Sequence, residues 1–278
     1  MKIAFKHIVV LGMAVGSLAC AANAQLSTAH SYSGNYGIEV RAFASGGASS
    51  ASGSLTLIDI PAGATIVDAF VYTNGWFGAN NPGASVNGNS LGNQNPYAVQ
   101  GDVYAYKWNA TSLISGNGSY TLDLGISNQI YFGAIAVVFS HASLVAGTTV
   151  INDGVGILNG PAGSPFNSTT FAGLNAGASR LQLVTQADND SGQSGEQILW
   201  NGNVVGGPID ANLGSFASLF DIAVNAQAGN NTVAINASSG DHFGWHLAVV
   251  SNGLIPTPGT TAILGLSVLA AGRRRRRA

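Results

Sequence analysis

Residues 85–92 read SVNGNSLG, and residues 199–206 read LWNGNVVG. Each places an Asn-Gly-Asn turn between short runs that suit strands: Asn87-Gly88-Asn89 in one, Asn201-Gly202-Asn203 in the other. A two-residue hairpin of type I′ needs positive φ at both central positions, and Asn-Gly meets that need at low steric cost. The two stretches therefore predict two β-hairpins, and their likeness predicts one unit used twice. Neighbouring stretches agree. GNGSYTL (116–122) answers GNNTVAI (229–235), and FGAIAVVFS (132–140) answers FGWHLAVVS (243–251). The three offsets are 114, 113 and 111 residues, in the same order along the chain.

Further strand signals fill the spaces between. SGSLTLIDI (52–60), ATIVDAFVYT (64–73), GSYTLDLGI (118–126), GAIAVVFS (133–140), SRLQLVTQA (179–187) and NTVAINA (231–237) mix alternation with short apolar runs, bounded by Gly, Asn and Pro. No stretch of the body holds a 3.6-residue period for long. The expected fold is all-β: two consecutive antiparallel β-sandwich domains, jelly-roll-like, forming an internal repeat. Their expected limits are residues 25–160 and 161–253. The split is expected within GILNGPAGSPFNSTT (156–170), where Pro161 and Pro165 would break a strand ladder. No helix longer than two turns is expected between Gln25 and Gly253. The layout resembles uncharacterised exported β-sandwich domains, sometimes paired, of bacterial and archaeal surface proteins.

Composition limits what such a body can do. Seven of the ten Lys and Arg residues lie near the ends, as Lys2, Lys6 and Arg273 to Arg277. The body keeps three cations, Arg41, Lys107 and Arg180, against twelve acidic residues. Nucleic acids and anionic membrane surfaces both need a basic footprint, so neither is expected as a partner. The one cysteine, Cys20, falls in the N-terminal apolar segment, so no disulfide is expected in the body.

The two ends have their own chemistry. MKIAFKHIVVLGMAVGSLACAANAQ (1–25) begins with lysines, continues through an apolar core and closes on Ala22-Asn23-Ala24 before Gln25. That is the pattern of a secretory signal peptide, residues 1–24, cut between Ala24 and Gln25. At the other end, IPTPGTTAILGLSVLAAGRRRRRA (255–278) runs from two prolines through a short apolar segment to five arginines. The apolar run is short for a transmembrane helix, and the arginines would hold its end on the cytoplasmic side. Residues 254–278 resemble the PEP-CTERM sorting signal: Pro-x-Pro, an apolar helix and a terminal arginine cluster. The matching positions are Pro256, Thr257 and Pro258, then Arg273, Arg274, Arg275, Arg276 and Arg277; Thr257 stands where that signal has glutamate. The resemblance implies processing by exosortase, an integral-membrane cysteine protease. It implies an exported protein of an exopolysaccharide-making cell, held in the inner membrane only through this tail, then shown at the surface or released.

Few residues suggest catalysis. GNSLG (88–92) matches the Gly-x-Ser-x-Gly pattern around Ser90, but that elbow needs a helix after it, and NQNPYAVQ is not one. Glu39 and Glu196 are the only glutamates, and no carboxylate pair stands in a context that suggests sugar hydrolysis. His242 and His246 share a strand face at a spacing too wide for one metal, so no zinc site is expected. Asp188, Asp190 and Glu196 form the candidate calcium site, because hard cations take clustered oxygen ligands; the competing reading is a solvated acidic turn. Trp76 and Phe77, in NGWFGANN, form the candidate sugar platform: a ring face is apolar while sugar hydroxyls need amide partners. No other cofactor is expected. The functional expectation is a non-catalytic surface or matrix protein associated with exopolysaccharide. A calcium- or carbohydrate-binding adhesin module and a secreted polysaccharide hydrolase are the alternatives.

Overall fold

The computed structural model describes residues 25–77, 80–125, 129–159, 164–186, 195–214, 216–237 and 242–252. The expected signal peptide, Asp188, Asp190 and the sorting tail with Pro256, Thr257, Pro258 and Arg273 to Arg277 lie outside the described residues. Among the described residues the chain is all-β, with eighteen strands in four antiparallel sheets and one 3₁₀ turn, Thr111–Leu113.

The first strand, β1 (Ser27–Gly34), stands apart from those that follow it. A first unit holds β2 (Tyr36–Ala48), β3 (Ala51–Leu57), β4 (Thr65–Trp76), β5 (Gly83–Val86), β6 (Asn89–Asn93), β7 (Ala98–Gln100), β8 (Val103–Asn109), β9 (Gly118–Leu124) and β10 (Ile130–Ser140). A second holds β11 (Gly147–Leu158), β12 (Phe166–Leu174), β13 (Gly177–Gln186), β14 (Gln197–Trp200), β15 (Asn203–Gly206), β16 (Ser218–Ala226), β17 (Gly229–Asn236) and β18 (Phe243–Ser251). In the first unit the sheet orders are β2-β10-β4-β8-β7 and β3-β9-β5-β6. In the second they are β1-β11-β18-β13-β16 and β12-β17-β14-β15. Removing β7 from one and β1 from the other leaves the same order in both units.

The Asn-Gly hairpins explain part of that agreement. Asn87 and Asn201 both sit at φ 50°, with Gly88 at 77° and Gly202 at 80°. Each asparagine also docks its hairpin on the neighbouring strand. The Thr121 N–H donates to Asn87 Oδ1 at 2.8 Å, and the Thr232 N–H donates to Asn201 Oδ1 at 2.8 Å. The turn residue thus sets the hairpin's curvature and fixes its register against β9 or β17.

Three large cores order the sheets into four layers, and a smaller one joins Val103 and Ala105 of β8 to Val155 and Ile157 of β11. Leu55, Leu122, Ile135 and Val137 fill the space between the two sheets of the first unit. Leu183, Trp200, Val233 and Val250 do so in the second. A third core joins the five-stranded sheets face to face: Val40, Tyr72, Ala136 and Val138 from the first unit meet Ile151, Val184, Leu247 and Val249 from the second. The central strands β10 and β18 are therefore covered on both faces, which is why their sequences read as unbroken apolar runs. Burying a Val, Leu or Ile side chain contributes about 1.5–3 kcal/mol relative to exposure. With thirteen residues in the shared core, neither unit buries its inner face alone.

Sheet membership divides the chain differently from the expected split at 156–170. β11 pairs with β1 and β18, so the link between units is residues 141–146. The segment containing Pro165 connects β11 to β12 inside the second unit. β1, expected in the first domain, completes the sheet of the second: Ser31 faces Val150 and Tyr32 faces Thr149 along β11.

Candidate functional site at the seam

The seam between the five-stranded sheets is apolar at its centre and polar toward its margins. All three cations of the described body are engaged in ion pairs. Lys107 Nζ, from β8, donates to Asp153 Oδ2 of β11 at 2.8 Å, and Tyr72 Oη donates to the same oxygen at 3.0 Å. The ammonium also sits over the Tyr97 ring, 4.8 Å from its centroid. On another part of the seam, Arg180 of β13 donates to Asp59 of the first unit at 2.8 Å and also pairs with Asp221. Arg41 lies 2.6 Å from the buried Glu39 carboxylate, which accepts the N–H groups of Ile58 and Asp59, each at 3.0 Å. Burial pushes the Tyr72 hydroxyl well above its ordinary pKa, and the Asp153 charge adds to the shift. Burial, followed by the Lys107 charge, lowers the His30 pKa.

One end of the seam gathers aromatic rings from four strand ends. Trp76 closes β4; its ring lies 5.8 Å from Phe77, 5.9 Å from Tyr131 and 5.0 Å from His242. Tyr131 in turn meets Phe216 edge to face at 5.5 Å. Trp76, Tyr131 and Phe216 are half-buried, while Phe77 is 58% exposed. Beneath them lies a buried amide floor. The Tyr131 N–H donates to Asn74 Oδ1 at 3.1 Å, Asn74 Nδ2 donates to Gln186 Oε1, and His246 Nε2 lies 3.3 Å from that oxygen.

The backbone at this end is unusual. Six non-glycine residues have positive φ among the described residues, and three are asparagines, which tolerate it. The others are Phe77 (60°), Gln129 (51°) and Phe216 (70°). All three belong to the cluster, since Tyr131 Oη donates to Gln129 Oε1 at 2.7 Å. A side chain with a Cβ costs about 1–2 kcal/mol in this region. Such strain persists where surrounding contacts impose it, and it concentrates at functional positions. Here the Phe77 N–H donates to the Asp102 carbonyl at 2.9 Å, holding the strained residue with its ring outward.

The structure thus brings Trp76 and Phe77 into one cluster, and adds Tyr131, Phe216 and His242, which come from distant stretches with no shared sequence signal. Glu196 is buried at 2% exposure before β14; the Asp188 and Asp190 expected beside it lie outside the described residues. Ser90 stands in the edge strand β6, with its hydroxyl accepting the Gly92 N–H, and no helix follows it. His246 occupies a bulge: the register of β18 shifts between Trp245 and Leu247 against both β11 and β13. Burial lowers its pKa to about 3, with the Gly154 backbone pulling the other way. His242 faces Trp76, whereas His246 packs on Phe132, and no group of three metal-ligating side chains forms among the described residues.

A family model described as "Protein of unknown function (DUF3344)" matches residues 19–251. The chain belongs to that family. No curated protein matches it. Among solved structures it is distantly similar to the ANX2 ectodomain from Arabidopsis thaliana, at 8% identity over 76% of this chain and 82% of that one, TM-score 0.25. N-glycanase F (PNGase F) matches at 12% identity over 78% and 95%, TM-score 0.26. The major capsid protein P2 from bacteriophage PM2 matches at 10% identity over 79% and 100%, TM-score 0.23.

Proposed function

We propose that this DUF3344 protein is an exported, non-catalytic surface or matrix protein that binds polysaccharide through the aromatic end of its seam. The carrying observation is the cluster of Trp76, Phe77, Tyr131, Phe216 and His242, with two phenylalanines held on left-handed backbone. Aromatic faces beside amide groups suit a sugar ring, whose faces are apolar and whose rim carries hydroxyls. The equal strand orders support reading the body as a repeated β-sandwich, a rigid mount that places these loops at one end. Export and processing are carried by the ends: a signal peptide cut after Ala24, and a Pro256-Thr257-Pro258 signal read by an exosortase-type protease.

A glycan screen of residues 25–252 tests the binding half. Retention without turnover is the expected result, lost in Trp76→Ala. Turnover of a bound glycan would favour the hydrolase reading, and no retention at all would sink this one. Mass spectrometry of protein from the native host tests the sorting half. The mature chain should lack Arg273 to Arg277 and end near Thr257; an intact Arg277 would overturn processing.

A further inference from the structure

Beside the aromatic cluster lies an open depression of ≈ 540 Å³. One wall is the β2–β3 connection of the first unit, where the chain passes from one sheet to the other, with Ser45, Ser50 and Ser52; the other is Leu213 and Gly214 of the second. Both walls continue into the cluster. Ser45 Oγ donates to the Ile130 carbonyl, next to Tyr131, and the Tyr131 ring covers Gly47, so close that a Cβ there would lie 3.3 Å from it. Phe216 sits inside the turn closed by the Leu213 N–H donating to the Ala217 carbonyl at 3.1 Å. Hydroxyls, rings and an open volume thus adjoin at one junction that only the assembled pair of units creates.

We infer that this depression is the ligand subsite next to the aromatic platform, and that its ligand is an uncharged polysaccharide. The inference rests on the platform reading above and narrows it. No charged side chain lines the depression among the described residues. The charge that touches its lining is an anion: Ser52 Oγ donates to Asp123 Oδ1 at 2.7 Å. An acidic glycan would need a cation, yet Arg41, Lys107 and Arg180 are each held by carboxylates. Against twelve acidic residues in the body, a polyanion meets repulsion at long range and no partner at contact. A neutral glycan asks only for ring faces and hydroxyl partners, and the junction offers both.

Affinity electrophoresis of residues 25–252 tests this, with gels holding dextran, laminarin or galactomannan as neutral probes and alginate or polygalacturonate as acidic ones. At least one neutral probe should retard the protein, equally at about 20 mM and about 500 mM NaCl, since salt screens only charge attraction. Ser50 and Ser52 are exposed, so Ser50→Leu/Ser52→Leu fills the depression and removes two hydroxyls without touching the core. It should weaken retardation about tenfold, the equivalent of one to two lost hydrogen bonds. An unchanged melting temperature would show that the variant is folded. If Trp76→Ala abolishes retardation while the double variant leaves it intact, the subsite inference falls and the platform reading stands. Preference for an acidic probe, or salt-sensitive binding, also overturns the inference alone. Retardation by no probe overturns both.

Discussion

Lys107 of the first unit and Asp153 of the second meet at 2.8 Å, with the Asp153 side chain only 5% exposed. Removing one partner of a largely buried pair strands the other charge, which costs more than the pair itself contributes. Lys107→Met should therefore destabilise the protein by about 2–3 kcal/mol, below the fully buried range because water reaches the lysine. Adding Asp153→Asn should recover most of that loss, since Tyr72 still has an acceptor. Urea denaturation of both variants checks this, and simple additivity of two losses would contradict it.

His246 makes stability depend on pH. Its folded pKa of about 3 lies below the ordinary histidine value, so on acidification the unfolded chain takes up a proton first. The stabilisation is complete above about pH 6.5 and is lost progressively as pH falls toward 3. Between pH 7 and 4 the loss should be about 3 kcal/mol. His246→Gln should flatten that part of the profile in thermal melts at stepped pH. A wild-type curve that is no steeper than the variant's would rule the effect out.

The two hairpin asparagines share a role and differ by one hydrogen bond, since Asn201 Nδ2 also donates to Asn231 Oδ1 at 2.9 Å. Asn87→Ala and Asn201→Ala each place alanine at positive φ and strip an acceptor from a threonine N–H. Each should cost about 2 kcal/mol. Asn→Gly at either site should cost less, because the backbone is relieved and only side-chain hydrogen bonds are lost, one at Asn87 and two at Asn201. Chemical denaturation of the four variants would expose any difference between the units.

The platform strain makes a separate prediction. Phe77→Gly relieves the backbone at φ 60° but deletes the exposed ring. It should leave stability equal or slightly higher, within about 1 kcal/mol, while reducing glycan retention. A stability loss above that would show the ring to be a packing element.

The all-β class, the hairpins and the buried central strands were legible because each has a local cause. Asn-Gly dictates a turn, and an unbroken apolar run such as FGAIAVVFS marks a strand covered on both faces. The unit boundary was not legible. β11, GTTVINDGVGIL, is buried throughout yet carries Asn152, Asp153 and three glycines, so it reads like loop. Prolines 161 and 165 drew the split to the crossover between β11 and β12, which lie in the two different sheets of the second unit. Trp76 and Phe77 stood out as aromatics in an amide-rich loop, but Tyr131, Phe216 and His242 join them only through strand ends distant in sequence. The ion pairs across the seam left no sequence trace either, because each joins residues dozens of positions apart.

Synthesis order gives the crossing of β1 a further meaning. Thr28 bonds to Asn152, 124 positions later, so β1 exists for roughly ten seconds of synthesis before its mate is made. Over that interval the first unit can gather around β10 while β1 hangs beside it with bare backbone donors and acceptors. An apolar strand in that condition would pair with whatever passed. STAHSYSG is polar at nearly every position, and a segment of that kind makes a poor template for stray pairing. The same polarity that conceals β1 from a reading of the sequence keeps it available until the second sheet is there to receive it.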